Sequence, residues 1–374
     1  MRAPRRSTRR LVPLTFAAGV AALALVAAGC GSDNSSSGGS GGGGGGSGSG
    51  TQVAVLLPDS KSSVRWETVD RPLLKAAFDK AGIKSTIQNA EADKSAQQQQ
   101  AEQAITNGAK VLLLVNLDSG SGAAIAANAK SQGVKVIDYD RLTLKGSSDY
   151  YVSFDNEQVG RLQGQGLVDC LGNASKPAVA VLNGSPTDNN ATLFANGYNS
   201  VIGPKFTSGA WTKVADQSVP DWDNQKALTI FEQMLQKASN NVDGVLAAND
   251  GLGNAAISAL KQRKLKQIPV TGQDATLQGI QNIVSGDQCM TVYKAIKKEA
   301  DAAAGLAISL AKGKQPTGVS QTVDNQSRKV PAILLQPVPV TKKNIKQYFG
   351  AVDYPKRNDI CAGKLASECT KLGL

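Results

Sequence analysis

"VKVIDYDR", residues 134–141, begins like a buried strand and ends in charged side chains. Val134, Val136 and Ile137 are typical of a sheet core, but the run finishes with two aspartates and an arginine. Burying such groups without partners is strongly unfavourable. The stretch therefore predicts that something at the carboxyl end of this strand satisfies the charges.

The chain repeats this arrangement from residue 51 onward. Apolar runs alternate with longer segments of helical period, among them "VAVLL" (53–57), "KVLLLV" (110–115), "AVAVLNG" (178–184) and "GVLAAND" (244–250). Near-continuous Val, Leu and Ile runs are typical of parallel strands covered on both faces by helices. Roughly 300 structured residues exceed one core. The sequence therefore predicts an α/β protein with two doubly wound domains.

Strand after strand ends in polar residues. These endings are "DYDR" (138–141), "SFDN" (153–156), "LNGSPTDNN" (182–190), "AAND" (247–250), "TGQD" (271–274) and "TVYK" (291–294). Ligands of open α/β sheets bind at the carboxyl ends of the strands, so we expect these side chains to converge on one crevice. Asp accepts hydrogen bonds, Arg and Lys donate them and Asn does both, which suits a ligand rich in hydroxyl groups.

Two of the three tryptophans fit the same ligand. Trp66 in "VRWETVD" and Trp222 in "VPDWDNQ" could pack their indole faces against the apolar face of a sugar ring. Ordinary structural roles remain open: Asp155 and Asp250 could cap helices, Trp211 could be core, and Arg141 could be a simple ion-pair partner. No phosphate-binding glycine motif occurs.

The first 50 residues predict export. Five arginines in the first ten residues precede the apolar stretch 11–29, which is typical of a secretory signal, with a transmembrane anchor as the alternative. Cys30 follows Ala28-Gly29 as in the lipobox of bacterial lipoproteins. Residues 31–50 contain only Gly, Ser, Asp and Asn, and predict a flexible tether reaching roughly 25 Å. Without the five arginines of the signal, the chain has 36 basic and 30 acidic residues, which gives a net charge of +6.

Several classes of function are disfavoured by composition. The basic residues are scattered, so no nucleic-acid partner is predicted. The absence of histidine and of metal-ligand spacings predicts no metal and no cofactor, and makes an enzyme less expected. The one enzyme alternative is "DYDRLT" (138–143), which faintly resembles the signature of HAD phosphatases, although Leu142 replaces its Thr or Val. Cys170, Cys289, Cys361 and Cys369 allow three full disulfide pairings, and the near pair Cys361–Cys369 is the expected bridge.

The chain resembles the periplasmic sugar-binding proteins of bacterial ABC importers, and within them the xylose-binding branch. The matching stretches are "RW" (65–66), "DYDR" (138–141), "YVSFDNEQVG" (151–160), "GSPTDNNA" (184–191), "ND" (249–250), "GQDA" (272–275) and "MTVYK" (290–294). The resemblance implies the type I periplasmic binding fold, with two Rossmann-like lobes joined by a three-crossing hinge. It assigns residues 51–154 and 295–323 to the N-terminal lobe, 155–294 and 324–345 to the C-terminal lobe, and leaves 346–374 as a tail.

The resemblance also implies a site and partners. By matching motif, the residues that would hydrogen-bond the sugar are Arg65, Asp140, Arg141, Asn190, Asn249, Asp274 and Lys294. Trp66 and Trp222 would sandwich the ring. The protein would then be a monomeric, lipid-anchored receptor on the outer face of the cell membrane. It would deliver a monosaccharide, D-xylose or a similar aldose, to an ABC permease. A sensing role in chemotaxis or signalling is the alternative.

Overall fold

The computed structural model describes residues 50 and 52–374. The predicted signal, Cys30 and the linker up to residue 49 lie outside the described residues. The strands, in chain order, are β1 (Val53–Leu57), β2 (Ser85–Asn89), β3 (Val111–Leu114), β4 (Lys135–Tyr139), β5 (Tyr150–Phe154), β6 (Ala178–Asn183), β7 (Thr212–Ser218), β8 (Gly244–Ala247), β9 (Thr291–Tyr293), β10 (Gln321–Asp324), β11 (Lys329–Leu335) and β12 (Val338–Val340).

The helices alternate with these strands. They are α1 (Arg71–Lys80), α2 (Lys94–Thr106), α3 (Ser119–Ser131), α4 (Asn156–Leu171), α5 (Asn189–Thr207), α6 (Asn224–Lys237), α7 (Asp250–Gln262), α8 (Leu277–Ser285), α9 (Ile296–Ala311), α10 (Arg357–Ile360) and α11 (Ala366–Lys371). A π-helical turn, Trp66–Asp70, precedes α1, and short 3₁₀ turns cover Pro220–Trp222, Ile345–Tyr348 and Gly363–Leu365. No helix within the described part of the chain has the length and apolar character needed to span a membrane.

The first lobe is a seven-stranded sheet in the order β2-β1-β3-β4-β5-β11-β10. Its neighbours run parallel except for the edge pair β10–β11. Side chains of a strand alternate between faces, and β1 shows why both faces are covered. Val53, Val55 and Leu57 pack in a core with α1 and α9, whereas Ala54 and Leu56 pack in one with α2 and α3.

The second lobe is built on three parallel strands in the order β7-β6-β8, flanked by the antiparallel pair β9–β12. The predicted strand at 268–274 is reduced to a single parallel bridge between Val245 and Val270. Helices α2 to α8 each begin at an Asp, Asn or Thr whose side-chain oxygen accepts an N–H of the first turn, which explains where they start. Asp155 is one of these caps.

The chain crosses between the lobes three times, which confirms the predicted fold class. The crossings lie at residue 155, at 294–295 and at 336–337. The last one corrects the expected return at residue 324, because β11 pairs in parallel with β5 of the first lobe. Val330 and Ala332 of β11 are fully buried against Leu142 and Tyr151, so this strand completes the core at that edge of the sheet.

Two disulfides are formed among the described residues. Cys170 at the end of α4 is bonded to Cys289 just before β9, and Cys361 is bonded to Cys369. Residues 341–374 fold back onto the second lobe. Ile345, Tyr354, Ile360 and Leu374 are buried there with α8, β9 and β12.

Candidate functional site

A cavity lies between the lobes at the carboxyl ends of their strands. Its empty space, counted out to where it meets solvent, is about 360 Å³. All nine residues singled out in the sequence line this cavity: Arg65, Trp66, Asp140, Arg141, Asn190, Trp222, Asn249, Asp274 and Lys294. Ser62, Ser63, Asp188, Phe194 and Gln273 complete the lining.

The two lobes use the same backbone device to present an aspartate. Asp140 directly follows β4 and has φ +64°, and Asp274 has φ +96° at the corresponding place in the second lobe. Each donates its N–H to a carbonyl of the neighbouring strand, to Val152 at 2.8 Å and to Val292 at 2.8 Å. A positive φ is uncommon at a residue other than glycine, although aspartate adopts it more readily than most side chains.

Arg65 is the centre of a buried charge cluster in the first lobe. Its guanidinium donates to Asp70 through Nε and Nη2, both at 2.9 Å, to Asp140 Oδ2 at 2.9 Å and to Glu299 Oε2 at 2.7 Å. Burial alone would lower the pKa of Arg65, but Asp70, Glu299 and Asp140 together raise it well above its usual value. The guanidinium therefore stays charged and fixed in the cavity wall.

Opposite charges hold each other's ionised form in the cavity. Burial raises the pKa of Asp140, but Arg65, Lys294 and Arg141 outweigh it and bring the pKa below its usual value. Burial lowers the pKa of Lys294, but Asp274, whose Oδ1 lies 3.0 Å from its Nζ, and Asp140 raise it overall. The cavity thus presents fixed charged donors and acceptors, which form stronger hydrogen bonds than neutral groups.

Polar contacts join the lobes across the cavity. Asn190 at the start of α5 donates from Nδ2 to the backbone oxygen and to Oδ1 of Asp140, at 3.0 and 3.1 Å. Arg141 forms an ion pair with Asp188 at 3.2 Å. Asn249 caps α7 by accepting the Leu252 N–H at 2.8 Å, so its amide NH₂ is the group available to donate to a ligand.

The aromatic walls come from both lobes. The indole of Trp222 donates from Nε1 to Asp188 Oδ2 at 3.0 Å and meets Phe194 edge-on, with 6.3 Å between centroids. Its ring is seated on Gly184, where a Cβ would lie 2.0 Å from the indole, so only glycine fits there. On the first lobe, the Arg65 guanidinium lies 4.3 Å from the Trp66 ring centroid, a cation–π contact.

Sequence reasoning missed five lining residues and misjudged one cap. Asp188 lies within "GSPTDNNA", Phe194 lies just after it, and Gln273 lies within "GQDA". In the sequence they look like a helix cap, an apolar helix residue and an amide beside an aspartate, so none of them indicates a site by itself. Ser62 and Ser63 lie in the loop before Arg65. The predicted cap at Asp250 is wrong, because Asn249 caps α7. Asp250 is instead fully buried and bonded to Thr276, Gln288 and Thr291.

The enzyme alternative is also wrong. In a phosphatase of the resembled type, Asp138 and Asp140 would face one site. Here the Asp138 carboxylate is turned into the protein, where it accepts from Thr143 N, Thr143 Oγ1 and Ser148 Oγ at 2.7–2.8 Å. Only Asp140 lines the cavity.

Comparison with known proteins identifies the class. Residues 53–315 match the periplasmic binding protein domain, and the chain belongs to that family of solute-binding proteins, which bind rather than catalyse. It is 40% identical over 286 residues to the D-xylose-binding periplasmic protein of Haemophilus influenzae, covering 76% of this chain and 84% of the relative. It is 38% identical to the protein of the same name from Escherichia coli, over 75% and 84% of the two chains.

A solved structure matches the fold as a whole. The crystal structure of a carbohydrate transporter solute-binding protein from Chloroflexus aurantiacus, in complex with D-glucose, superposes with a TM-score of 0.75 at 30% identity. The match covers 82% of this chain and 98% of that one. The predicted family is therefore confirmed, and so is the predicted architecture.

Proposed function

We propose that this protein captures a monosaccharide, D-xylose or a similar aldose, outside the cell and delivers it to an ABC importer. One observation carries the proposal. Strand ends and helix starts of both lobes bring charged donors, charged acceptors and amides to one small cavity with an indole on either lobe. Sugar hydroxyls both donate and accept, and each hydrogen bond to a charged group contributes about 1.5–3 kcal/mol.

The nine lining residues take the roles implied by their motifs. Arg65, Arg141 and Lys294 donate to the sugar, Asp140 and Asp274 accept from it, and the amides of Asn190 and Asn249 complete the polar contacts. Trp66 and Trp222 pack against the faces of the ring. Contacts between Asp140 and Asn190 span the lobes, so a sugar bound to both would favour the closed arrangement.

The choice of an aldose rests on the relatives. Two curated relatives at 38–40% identity are named D-xylose-binding, and the solved structure from Chloroflexus aurantiacus holds D-glucose. The proposal extends to delivery to an ABC permease, which membership of the family supports, and to a monomeric state. It also includes a lipid anchor on Cys30, which the sequence of the first 50 residues supports. Mass spectrometry of the protein isolated from membranes tests the anchor, which would add a diacylglyceryl mass to Cys30 after removal of residues 1–29.

Isothermal titration of the purified protein against pentoses and hexoses tests the binding function. We expect one site per chain and micromolar or tighter affinity for D-xylose or a close aldose. A matched panel should include D-ribose and L-arabinose, which each differ from D-xylose in the configuration of one carbon, and D-glucose and D-galactose, which carry an additional exocyclic carbon. Binding no tighter than millimolar for every sugar would refute the proposal.

A further inference from the structure

The segment formed by residues 341–374 packs directly behind the second crossing of the hinge. We call it the C-terminal strap. Its buried residues share a core with Val340 of β12, with Tyr293 of β9 and with Ala275, which adjoins Asp274. The ring of Tyr293 lies 5.2 Å, centroid to centroid, from both Tyr348 and Tyr354 of the strap. The strap is thus packed against the end of the strand that leads into the hinge.

One carboxylate of the strap bonds to both sides of the crossing. The Tyr293 hydroxyl, on the second-lobe side, donates to Asp353 Oδ1 at 2.7 Å. The Lys297 backbone N–H, in the first turn of α9 on the first-lobe side, donates to Asp353 Oδ2 at 2.7 Å. The N-cap residue of α9, Ala295, has no side chain that could cap the helix. Asp353 therefore supplies, from elsewhere in the chain, the acceptor and the negative charge that a helix start favours.

This part of the chain carries Lys294, which lines the cavity, and Glu299, which belongs to the charge cluster around Arg65. Lys294, between Tyr293 and Lys297, places its Nζ 3.0 Å from Asp274 Oδ1. Glu299, on the first turn of α9, accepts from Arg65 at 2.7 Å. Any rotation of the backbone at 294–295 moves these side chains relative to their partners. It must also lengthen one of the two bonds to Asp353, because those bonds attach to opposite sides of the crossing.

We propose that Asp353 is a positioning residue for the binding site and that the C-terminal strap restrains the opening of the lobes. This inference rests on the proposed function, since it concerns how the sugar is held. Release of a sugar enclosed between the lobes requires opening. The two hydrogen bonds to Asp353 therefore slow release of the sugar. They orient Lys294 and Glu299, and Asp353 itself does not touch the sugar.

Stopped-flow measurement of the intrinsic tryptophan fluorescence tests the proposal on the purified protein. The probe is D-xylose, or the aldose of the titration panel that binds most tightly. We expect Asp353→Asn to release the sugar on the order of tenfold faster, the value of one charge-assisted hydrogen bond, with a smaller change in the association rate. Asp359→Asn, an exposed carboxylate of the same strap, should release it at the wild-type rate. Asp353→Glu keeps the charge and should restore part of the slow release.

The outcomes separate the strap from the binding function. A release rate for Asp353→Asn equal to that of the wild type overturns the proposal, even if the thermal midpoint falls, because a purely structural role would lower stability alone. If Asp353→Asn does not fold, Tyr293→Phe removes one of the two bonds, and an unchanged release rate for that variant is equally contrary. Absence of sugar binding by the wild type would instead refute the proposed function.

Discussion

The indole of Trp222 is fixed from three directions. Gly184 lies under the ring, Asp188 accepts its N–H, and Phe194 meets it edge-on. The backbone of Trp222 has φ +55°, a conformation that residues other than glycine rarely adopt. The surrounding contacts therefore hold the ring in place at the cost of local strain, which is the arrangement expected of a preformed binding wall.

We predict that Trp222→Ala lowers sugar affinity by on the order of 100-fold or more, because it removes an aromatic face and leaves Asp188 without its indole donor. Isothermal titration gives the affinity. The matched control is Trp211→Ala, since Trp211 is also mostly buried but packs against Phe206 away from the cavity. Trp211→Ala should lower the thermal midpoint and leave the affinity intact. Equal affinities for Trp222→Ala and the wild type would refute the assignment.

A second residue governs how stability responds to pH. Asp250 is fully buried, and burial, with Asp274 nearby, raises its pKa from 3.8 to about 7. Because the folded-state pKa is the higher one, the native state binds the proton more tightly than the unfolded chain. The resulting stabilisation is complete below about pH 4 and is lost as pH rises through about 7.

The expected result is a difference in slope between two proteins. From pH 4.5 to 7, the free energy of unfolding of the wild type should fall relative to that of Asp250→Asn, by at most about 1.4 kcal/mol per pH unit. Urea unfolding at several pH values measures both. Parallel curves for Asp250→Asn and the wild type would contradict the raised pKa.

Helices α4 and α5 approach unusually closely in the second lobe. A Cβ on Gly160 would lie 2.0 Å from the Phe194 carbonyl oxygen, and one on Gly197 would lie 2.1 Å from that of Glu157. Both obstacles are backbone atoms, which cannot rotate away. This contact sets the position of α5, whose first turn carries Asn190 into the cavity.

We predict that Gly160→Ala destabilises the protein by about 1–3 kcal/mol, because the helices must separate to admit the methyl group. Gly305→Ala is the matched control, since a Cβ at this interior position of α9 has open space around it. It should stabilise by about 0.5–1 kcal/mol through the better helix propensity of alanine. Chemical denaturation measures both, and effects of the same sign would contradict the close contact.

The sequence predicts an element well when local residues determine it, and poorly when residues far away in the chain determine it. Runs such as "KVLLLV" predict their strands correctly, because uninterrupted apolar residues suit a sheet that is covered on both faces. The sequence predicts the wrong place for the third crossing, because "VPAILL" of β11 is compatible with a strand in either lobe and only its pairing with β5 assigns it to the first. The strand predicted at 268–274 forms only one parallel bridge, between Val245 and Val270, because its pairing also depends on tertiary packing. Local pattern identifies a strand, whereas its neighbours depend on tertiary packing.

The cavity exists only in the whole molecule, because its lining comes from both lobes. Sequence reasoning reached its nine polar and aromatic residues through strand endings and motif resemblance. It could not reach Asp188 or Phe194, whose role depends on where the Trp222 ring lies, nor Glu299, which acts on Arg65 from 234 residues away. Nor could it foresee that Asp353 would bond both sides of a crossing. Such contacts depend on the folded arrangement and leave no mark of their own in the sequence.

A crystal structure of the purified protein with D-xylose tests the central claim most directly. We predict one sugar ring in the cavity between Trp66 and Trp222. Sugar hydroxyls should donate to Asp140 of the first lobe and to Asp274 of the second, and the Asn190 amide of the second lobe should donate to a sugar oxygen. A protein that binds the sugar in solution but holds it at another surface, with this cavity unoccupied, would contradict the proposed site.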